Sequence, residues 1–212
     1  MIQLFLTVYA GFTHAFETDH LLAVSNIVTN RNQLKLAVRD GIFWGLGHTS
    51  TIILIGVLMI LMKENISADT FHYFEAVVGA MLITLALYRV YKLWKRQGFI
   101  KNEIRHTHSD SMAHAHGHKL AYSVGLLHGL AGSGALVVLV MSQMKSPADG
   151  IIYLLIFGLG SVFGMLLAAG FFSAPFSQRI IQSNVLHISL VLMSSVFCIV
   201  YGGKVIYENL IS

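Results

Sequence analysis

The chain has 212 residues, of which 55% are hydrophobic and only 11% charged, and its mean hydropathy is +0.69. A soluble domain usually carries about a quarter charged residues, so this composition excludes an ordinary soluble protein. It predicts an all-α polytopic membrane protein whose main partner is the lipid bilayer. The net charge of +4 comes from basic residues in loops and at helix ends, so we expect no nucleic-acid partner. The single cysteine, Cys198, excludes a disulfide framework.

Six stretches are long and apolar enough to be membrane-spanning helices, which need about 20 residues. They cover roughly 3–28, 41–62, 71–94, 120–144, 150–173 and 185–207. No Lys or Arg precedes Arg31, so the first stretch lacks the basic region of a signal peptide and we expect it to be retained. Eleven Lys and Arg fall on one side of the six spans and three on the other. The positive-inside rule then places the eleven in the cytoplasm and both termini outside.

The two halves of the chain share short motifs. Gly11-Phe-Thr-His14-Ala-Phe recurs 114 residues later as Gly125-Leu-Leu-His128-Gly-Leu, and Gly45-Leu-Gly47 recurs after 113 residues as Gly158-Leu-Gly160. Because the matched spans cross in opposite directions, the pattern predicts two inverted three-helix repeats, a common plan of secondary transporters. Chance matching of Gly and Leu is the alternative. We expect one transmembrane domain over 1–212, with repeat halves 1–94 and 120–212 and a cytoplasmic His-rich loop at 95–119.

The first predicted span contains four ionisable residues within seven positions, namely His14, Glu17, Asp19 and His20. Each such group costs roughly 2.5–3.5 kcal/mol on insertion into a bilayer, so we expect them to have a function. Two imidazoles and one carboxylate suit a divalent transition metal. At 100° per residue an unbroken helix would not direct His14, Asp19 and His20 to one ion. The helix is therefore distorted here, or only a subset binds at one time.

Two further intramembrane histidines are candidate metal ligands. His48 follows Gly45-Leu-Gly47 in the second span, at a depth that His20 also reaches, and His128 in the fourth span is the repeat partner of His14. Hydrogen bonding to neighbouring helices is the alternative for each of them. Candidate supporting residues, for second-shell contacts or a proton path, are Glu17, Asn26, Thr49 and Ser133.

The long loop contains five histidines within thirteen residues: His106, His108, His114, His116 and His118. Tracts of this composition are typical of metal binding, and on the predicted topology they would capture the ion in the cytoplasm. A solvated loop with accidental histidines is the alternative.

Several motifs of enzymes are absent. The sequence has no Gly-x4-Gly-Lys-Ser/Thr phosphate loop and no His-Glu-x2-His zinc-protease motif. No cysteine lies near the histidines, which disfavours a thiolate site for Cu(I). We therefore predict a protein that is not an enzyme and that has no organic cofactor.

The motifs His14-x4-Asp19-His20-Leu-x-Ala-Val and Gly-Leu-Gly-His48-Thr-Ser resemble those of the nickel–cobalt transporter superfamily. The likeness extends over all six spans and is greatest to the six-span branch of urease-accessory-like permeases. The segment Leu127-His128-Gly-Leu-Ala-Gly-Ser-Gly-Ala-Leu also resembles that branch. It implies metal transport, with His14, Asp19, His20 and His48 at the metal-selecting positions. A His-rich loop also occurs in the related efflux branch, so the direction of transport stays open.

The leading hypothesis is a secondary transporter that imports Ni²⁺ or Co²⁺ across the cell (inner) membrane by rocking of the two halves around the His/Asp site. One alternative is a Ni/Co efflux permease. Another is a membrane accessory protein that delivers nickel to metallochaperones or to urease or hydrogenase maturation proteins. An electron- or sulfur-handling membrane protein is disfavoured by the single cysteine.

Overall fold

The computed structural model describes residues 2–28, 34–62, 68–99, 118–131, 146–174 and 184–211. Within these residues the chain is all-helical. The helices are α1 (Ile2–His14), α2 (Thr18–Val28), α3 (Leu34–Met62), α4 (Ala68–Phe99), α5 (118–131), α6 (Pro147–Ser173) and α7 (Asn184–Leu210). Ser146 caps α6, since its hydroxyl oxygen accepts a hydrogen bond from the Asp149 N–H at 3.2 Å.

Four of the described helices are long and apolar enough to cross a bilayer: Leu34–Ile60, Thr70–Lys95, Pro147–Ser173 and Val185–Leu210. The chain is thus a multi-pass membrane protein. The first predicted span is divided into α1 and α2, which have 13 and 11 residues and are each too short to cross alone. The fourth predicted span, 120–144, extends beyond the described residues.

One predicted boundary was wrong. The second span was expected to begin at about 41, but α3 begins at Leu34. The third was expected to cover 71–94, and the apolar part of α4 is Thr70–Lys95, although the helix itself continues to Phe99. A helix of 29 residues is about 44 Å long, whereas the hydrocarbon core is about 30 Å thick. Hydropathy therefore indicates only the part of each helix that lies in the hydrocarbon core, whereas the helical hydrogen bonds continue into the polar residues beyond it.

Glycines allow close contact between α1 and α6. A Cβ added at Gly11 would overlap the carbonyl oxygen of Phe157, and one added at Gly160 would overlap that of Val8. The hydroxyl of Ser161 also donates to the Gly11 carbonyl oxygen at 3.2 Å. Helices approach this closely only where small residues bring their backbones together.

α3 and α5 pack in the same way. A Cβ at Gly125 would overlap the carbonyl oxygen of Trp44, and one at Gly47 would overlap that of Tyr122. The two sets of contacts are related by the same offsets as the sequence motifs. The contact residues of α1 and those of α5 are 114 positions apart, and the contact residues of α3 and those of α6 are 113 positions apart. The two helix pairs therefore have matching interfaces.

The remaining contacts divide the molecule into two parts. α3 packs along α6, where a Cβ at Gly41 would lie 2.8 Å from the Met165 carbonyl oxygen. We call α1, α3, α5 and α6 the four-helix unit. The α4–α7 pair is joined through Gly79 and Gly202, each facing the other's carbonyl oxygen. α2 lies between these parts and contacts α3 and α6 as well as α4 and α7.

Candidate metal centre

The polypeptide departs from the helical path at residues 15–17, between α1 and α2. There the Glu17 N–H donates to the His14 carbonyl oxygen at 3.1 Å, which is a tighter turn than that of an α-helix. The first alternative of the sequence analysis, a distorted helix, is therefore present. The break brings the rings of His14 and His20 together, with centroids 4.5 Å apart.

Four imidazoles from four helices meet in the interior. The ring of His20 on α2 lies 5.1 Å from that of His48 on α3 and 4.6 Å from that of His128 on α5, and His14 on α1 lies 5.2 Å from His48. His20, His48 and His128 have no exposed surface, and His14 is 9% exposed. We call these four residues the histidine cluster. They are up to 114 residues apart in the sequence and converge only because the helices pack together.

Two carboxylates border the histidine cluster. Asp19 connects two rings, since its Oδ1 lies 2.9 Å from His20 Nδ1 and its Oδ2 lies 3.6 Å from His128 Nε2. Glu17 Oε1 lies 2.9 Å from His14 Nδ1, although 58% of the Glu17 side chain is exposed. The sequence analysis named Glu17 as a candidate supporting residue, and the structure pairs it with His14.

Several ring nitrogens of the cluster have no hydrogen-bond partner within the described part of the chain. They are His14 Nε2, His20 Nε2, both nitrogens of His48 and His128 Nε2. A buried polar group without a partner costs roughly 1–3 kcal/mol, and native proteins contain few of them. A cluster of such nitrogens is unfavourable unless another species completes it.

The arrangement provides two overlapping ligand sets. His14, His20 and His48 offer nitrogens that lie within 4.8 Å of one another, and Asp19, His20 and His128 offer a second set with the same property. Metal–nitrogen bonds of about 2.0–2.1 Å separate two ligands by at most about 4.2 Å. Small movements would therefore let either set close on a divalent ion, and His20 belongs to both sets.

Two aromatic residues also lie against the histidine cluster, and the sequence analysis did not select either of them. The indole of Trp44 is fully buried, with its ring 5.6 Å from that of His20 and 5.9 Å from that of His128. Phe157 lies 5.5 Å from His14. Trp44 precedes His48 by four residues and so shares its helix face, a spacing from which the sequence could have indicated it.

The other predicted residues lie apart from the histidine cluster or outside the described residues. The Asn26 side-chain amide donates to Cys198 Sγ at 2.8 Å, and the Thr49 hydroxyl donates to the Gly158 carbonyl oxygen at 3.2 Å. Both therefore connect helices. Outside the described residues are Ser133, His106, His108, His114 and His116.

His118 was predicted to belong to the His-rich loop, but it lies in the first turn of α5 and is buried. Its Nδ1 is 2.6 Å from Asp40 Oδ1, and its ring stacks on Phe43 with centroids 5.1 Å apart. His118 therefore joins α5 to α3. α5 begins two residues before the predicted span 120–144, so this histidine lies in the helix and not in the loop.

Comparison with known proteins gives a consistent family. The profile of the family described as the cytochrome c biogenesis protein transmembrane region matches residues 11–204. The urease accessory protein UreH of Bacillus sp. (strain TB-90) is 36% identical over 93% of this chain and 87% of its own length. A candidate nickel/cobalt efflux system of Methanocaldococcus jannaschii is 26% identical over 71% of this chain and 66% of its own.

A high-affinity nickel transport protein of Cupriavidus necator is 30% identical over 38% of this chain and 24% of its own length. No solved structure shows significant similarity to the chain. The profile covers most of the chain, and the likeness to UreH extends over nearly all of both proteins. The chain therefore belongs to the family of that transmembrane region and, together with UreH, to the nickel–cobalt transporter superfamily.

Proposed function

We propose that this protein is a secondary transporter that moves Ni²⁺ or Co²⁺ across the cell (inner) membrane through the histidine cluster and Asp19. The observation that carries the proposal is the set of buried imidazole nitrogens without hydrogen-bond partners in the described part of the chain. Imidazole and carboxylate are suitable ligands for these ions, and a dication held between them would offset the cost of burying both. The names of the nickel/cobalt relatives support the choice of substrate.

We further propose six spans arranged as two inverted three-helix repeats, with both termini outside. The matching interfaces of α1 with α6 and of α3 with α5 support this arrangement, because a two-fold relation between the halves would exchange one interface for the other. Under that relation His14 corresponds to His128, and the site lies where the halves meet, as in other transporters built from repeats.

The packing argues for a different moving part from the one expected. Rocking of the two sequence halves would separate α1 from α6 and α3 from α5, where backbones touch at glycines. We propose instead that the α4–α7 pair moves relative to the four-helix unit. His14, His48 and His128 all belong to that unit, while Asp19 and His20 lie on α2 at its boundary with the pair.

Import needs no ATP on energetic grounds. Moving two charges inward through about 100 mV releases roughly 4.6 kcal/mol, which sustains a concentration ratio of about three decades. Efflux would have to overcome the same amount, for example by exchange for protons at Glu17 or a histidine. We therefore propose import, with efflux as the alternative that the name of the Methanocaldococcus relative suggests.

Uptake of radiolabelled Ni²⁺ into proteoliposomes with an inside-negative potential tests the proposal. We expect His20→Ala to abolish uptake, because His20 belongs to both ligand sets. His187→Ala is the matched control, since His187 lies in the first turn of α7 and belongs to neither ligand set. Equal uptake by wild type and His20→Ala would refute the proposal.

The second candidate function is delivery of nickel to metallochaperones or to urease or hydrogenase maturation proteins, which the name of the Bacillus relative favours. Deletion of residues 106–116 distinguishes the two. It removes four histidines and leaves the pair of His118 and Asp40 intact. A transporter keeps most of its flux after this deletion, whereas a delivery protein loses urease activation in cells while any flux persists.

The family description also names cytochrome c biogenesis. A thiol–disulfide role would need two sulfurs, and this sequence has only Cys198, which is buried against Asn26. We therefore do not carry an electron- or sulfur-handling function over to this chain.

A further inference from the structure

A polar cavity of about 480 Å³ opens between the start of α2 and the α4–α7 pair. Its polar lining consists mainly of Glu17, Asp19, Glu75, Tyr201, Glu208 and Asn209. The cavity therefore lies between the part that carries the ligands and the part that we propose to move. Glu75 near the start of α4 and Glu208 near the end of α7 lie towards the same membrane face, which is the outer face on the proposed topology.

The lining of this cavity is rich in carboxylates. Four carboxylates line it, and the cation that the described structure places beside them is Lys204, whose Nζ lies 3.6 Å from Glu208 Oε1. Both partners of that ion pair are more than half exposed, so water screens their attraction. A concave surface with carboxylates of one sign concentrates cations and speeds their capture.

Asp19 borders both the cavity and the histidine cluster. This residue lines the cavity, and its Oδ2 lies 3.6 Å from His128 Nε2. That nitrogen is fully buried and has no hydrogen-bond partner in the described part of the chain. An unsatisfied imidazole is thus directed at the carboxylate that separates the two spaces.

The two spaces differ in what they can hold. Six waters occupy about 180 Å³, so an ion with its hydration shell fits within the cavity. The ligand atoms of each set in the centre lie within 4.8 Å of one another, which leaves room for the ion but not for its water shell. An ion that passes from cavity to centre must therefore exchange water for imidazole at Asp19.

We propose that this cavity is an outward-facing antechamber that binds a hydrated divalent cation, held by Glu75 and Glu208 before it loses water at Asp19. The inference deepens the proposed transport function and rests on it. The two glutamates act on capture of the ion and not on its passage through the histidine cluster. Their removal should raise the KM for external metal and leave the maximal rate unchanged.

The test uses the full chain in proteoliposomes and Ni²⁺ alone, with initial uptake measured at ionic strengths of about 10 and 150 mM. At the lower value we expect Glu75→Gln combined with Glu208→Gln to raise the KM about 3- to 10-fold, as expected for loss of electrostatic capture. At the higher value the Debye length is about 8 Å, and the difference should shrink. The maximal rate should match wild type at both.

Asp149→Asn is the charge-matched control. Asp149 lies in the first turn of α6, on the same proposed face but outside the cavity lining, and asparagine keeps the oxygen that accepts from Ser146. We expect it to keep the wild-type KM. If wild type shows no uptake, the transport function falls; if wild type transports and the double variant keeps the wild-type KM at low ionic strength, only the antechamber is refuted.

A labelling experiment tests the location independently of flux. Val205 lines the cavity, and Val205→Cys should react with a membrane-impermeant maleimide added to intact cells, while the buried native Cys198 stays unlabelled. Ni²⁺ should slow this reaction, and it should no longer do so when Glu75 and Glu208 are glutamine. Labelling only from the cytoplasmic side, or labelling insensitive to Ni²⁺, would overturn the assignment.

Discussion

The buried imidazole of His48, in the histidine cluster, and the buried imidazole of His118 differ in their hydrogen bonding. His118 Nδ1 donates a 2.6 Å hydrogen bond to Asp40 Oδ1, and the His118 ring stacks on Phe43. His48 is fully buried, yet neither of its nitrogens has a hydrogen-bond partner in the described structure. Both regions join α3 to α5, about eight residues apart on α3.

This difference separates structural from functional burial. A buried polar group that has a hydrogen-bond partner contributes to a specific fold. One without a partner lowers the stability of the fold, because its desolvation is not offset by any interaction within the protein. His118 is held by Asp40 and Phe43, and only its Nε2 has no hydrogen-bond partner in the described structure. The histidine cluster has several such nitrogens, and we infer that its ligand is the transported dication. Four predictions test this contrast, and the binding measurements use a variant lacking residues 106–116 so that the loop histidines do not contribute.

The largest expected effect is on metal affinity. His48→Leu should weaken Ni²⁺ binding more than about 100-fold, because loss of a ligand exceeds the 10–100-fold cost of losing a supporting residue. His118→Leu should bind Ni²⁺ with an affinity near that of wild type. Isothermal titration calorimetry of the purified variants measures both, and similar losses in the two would remove the distinction.

The next effect is on stability in the presence of metal. Ni²⁺ at about 100 times its Kd should stabilise the wild type by about 2.7 kcal/mol, since a ligand that binds only the folded state adds its binding free energy. The same addition should stabilise His118→Leu as much as wild type and His48→Leu much less, since His48→Leu keeps only the set of Asp19, His20 and His128 intact. Unfolding followed with and without Ni²⁺ gives the values, and equal stabilisation of His48→Leu and wild type would show that the ion binds elsewhere.

A smaller effect concerns the paired histidine. His118→Leu should lower the free energy of unfolding by about 1–3 kcal/mol, because Asp40 loses its short hydrogen bond while it stays buried. Replacing Asp40 by leucine as well should recover part of that loss in a double-mutant cycle. Additive losses would mean that the two side chains are not coupled.

The smallest effect runs in the opposite direction. In metal-free protein His48→Leu should raise the free energy of unfolding by about 1 kcal/mol, since an unsatisfied buried group is replaced by an apolar one of similar size. Stabilisation together with loss of function is the expected signature of a site that is unfavourable until it is filled. Clear destabilisation would indicate that His48 has a structural partner.

The sequence was sufficient to predict the class of the protein and the candidate ligands. Charged groups in an apolar stretch are unusual enough that His14, Asp19 and His20 could be selected without a structure, and the 100° step of a helix indicated the break that follows His14. The family resemblance was confirmed by the likeness to UreH. The metal-binding role of these residues stays a prediction.

Other features depend on tertiary packing and could not be derived from local pattern. The position of His118 follows from a helix that begins before the apolar run, and hydropathy does not report on such polar turns. The pairing of Glu17 with His14 depends on the turn at residues 15–17. The close packing of each sequence half against the other is visible only in the assembled helices. The repeat alone therefore could not indicate which helices would move together.

Nickel K-edge X-ray absorption on the variant lacking residues 106–116, loaded with one equivalent of Ni²⁺, tests the central claim most directly. The account predicts an ion bound by at least three imidazole nitrogens, with fewer imidazoles or none after His48→Leu. An ion surrounded by oxygen alone, or a spectrum that His48→Leu leaves unchanged, would contradict it.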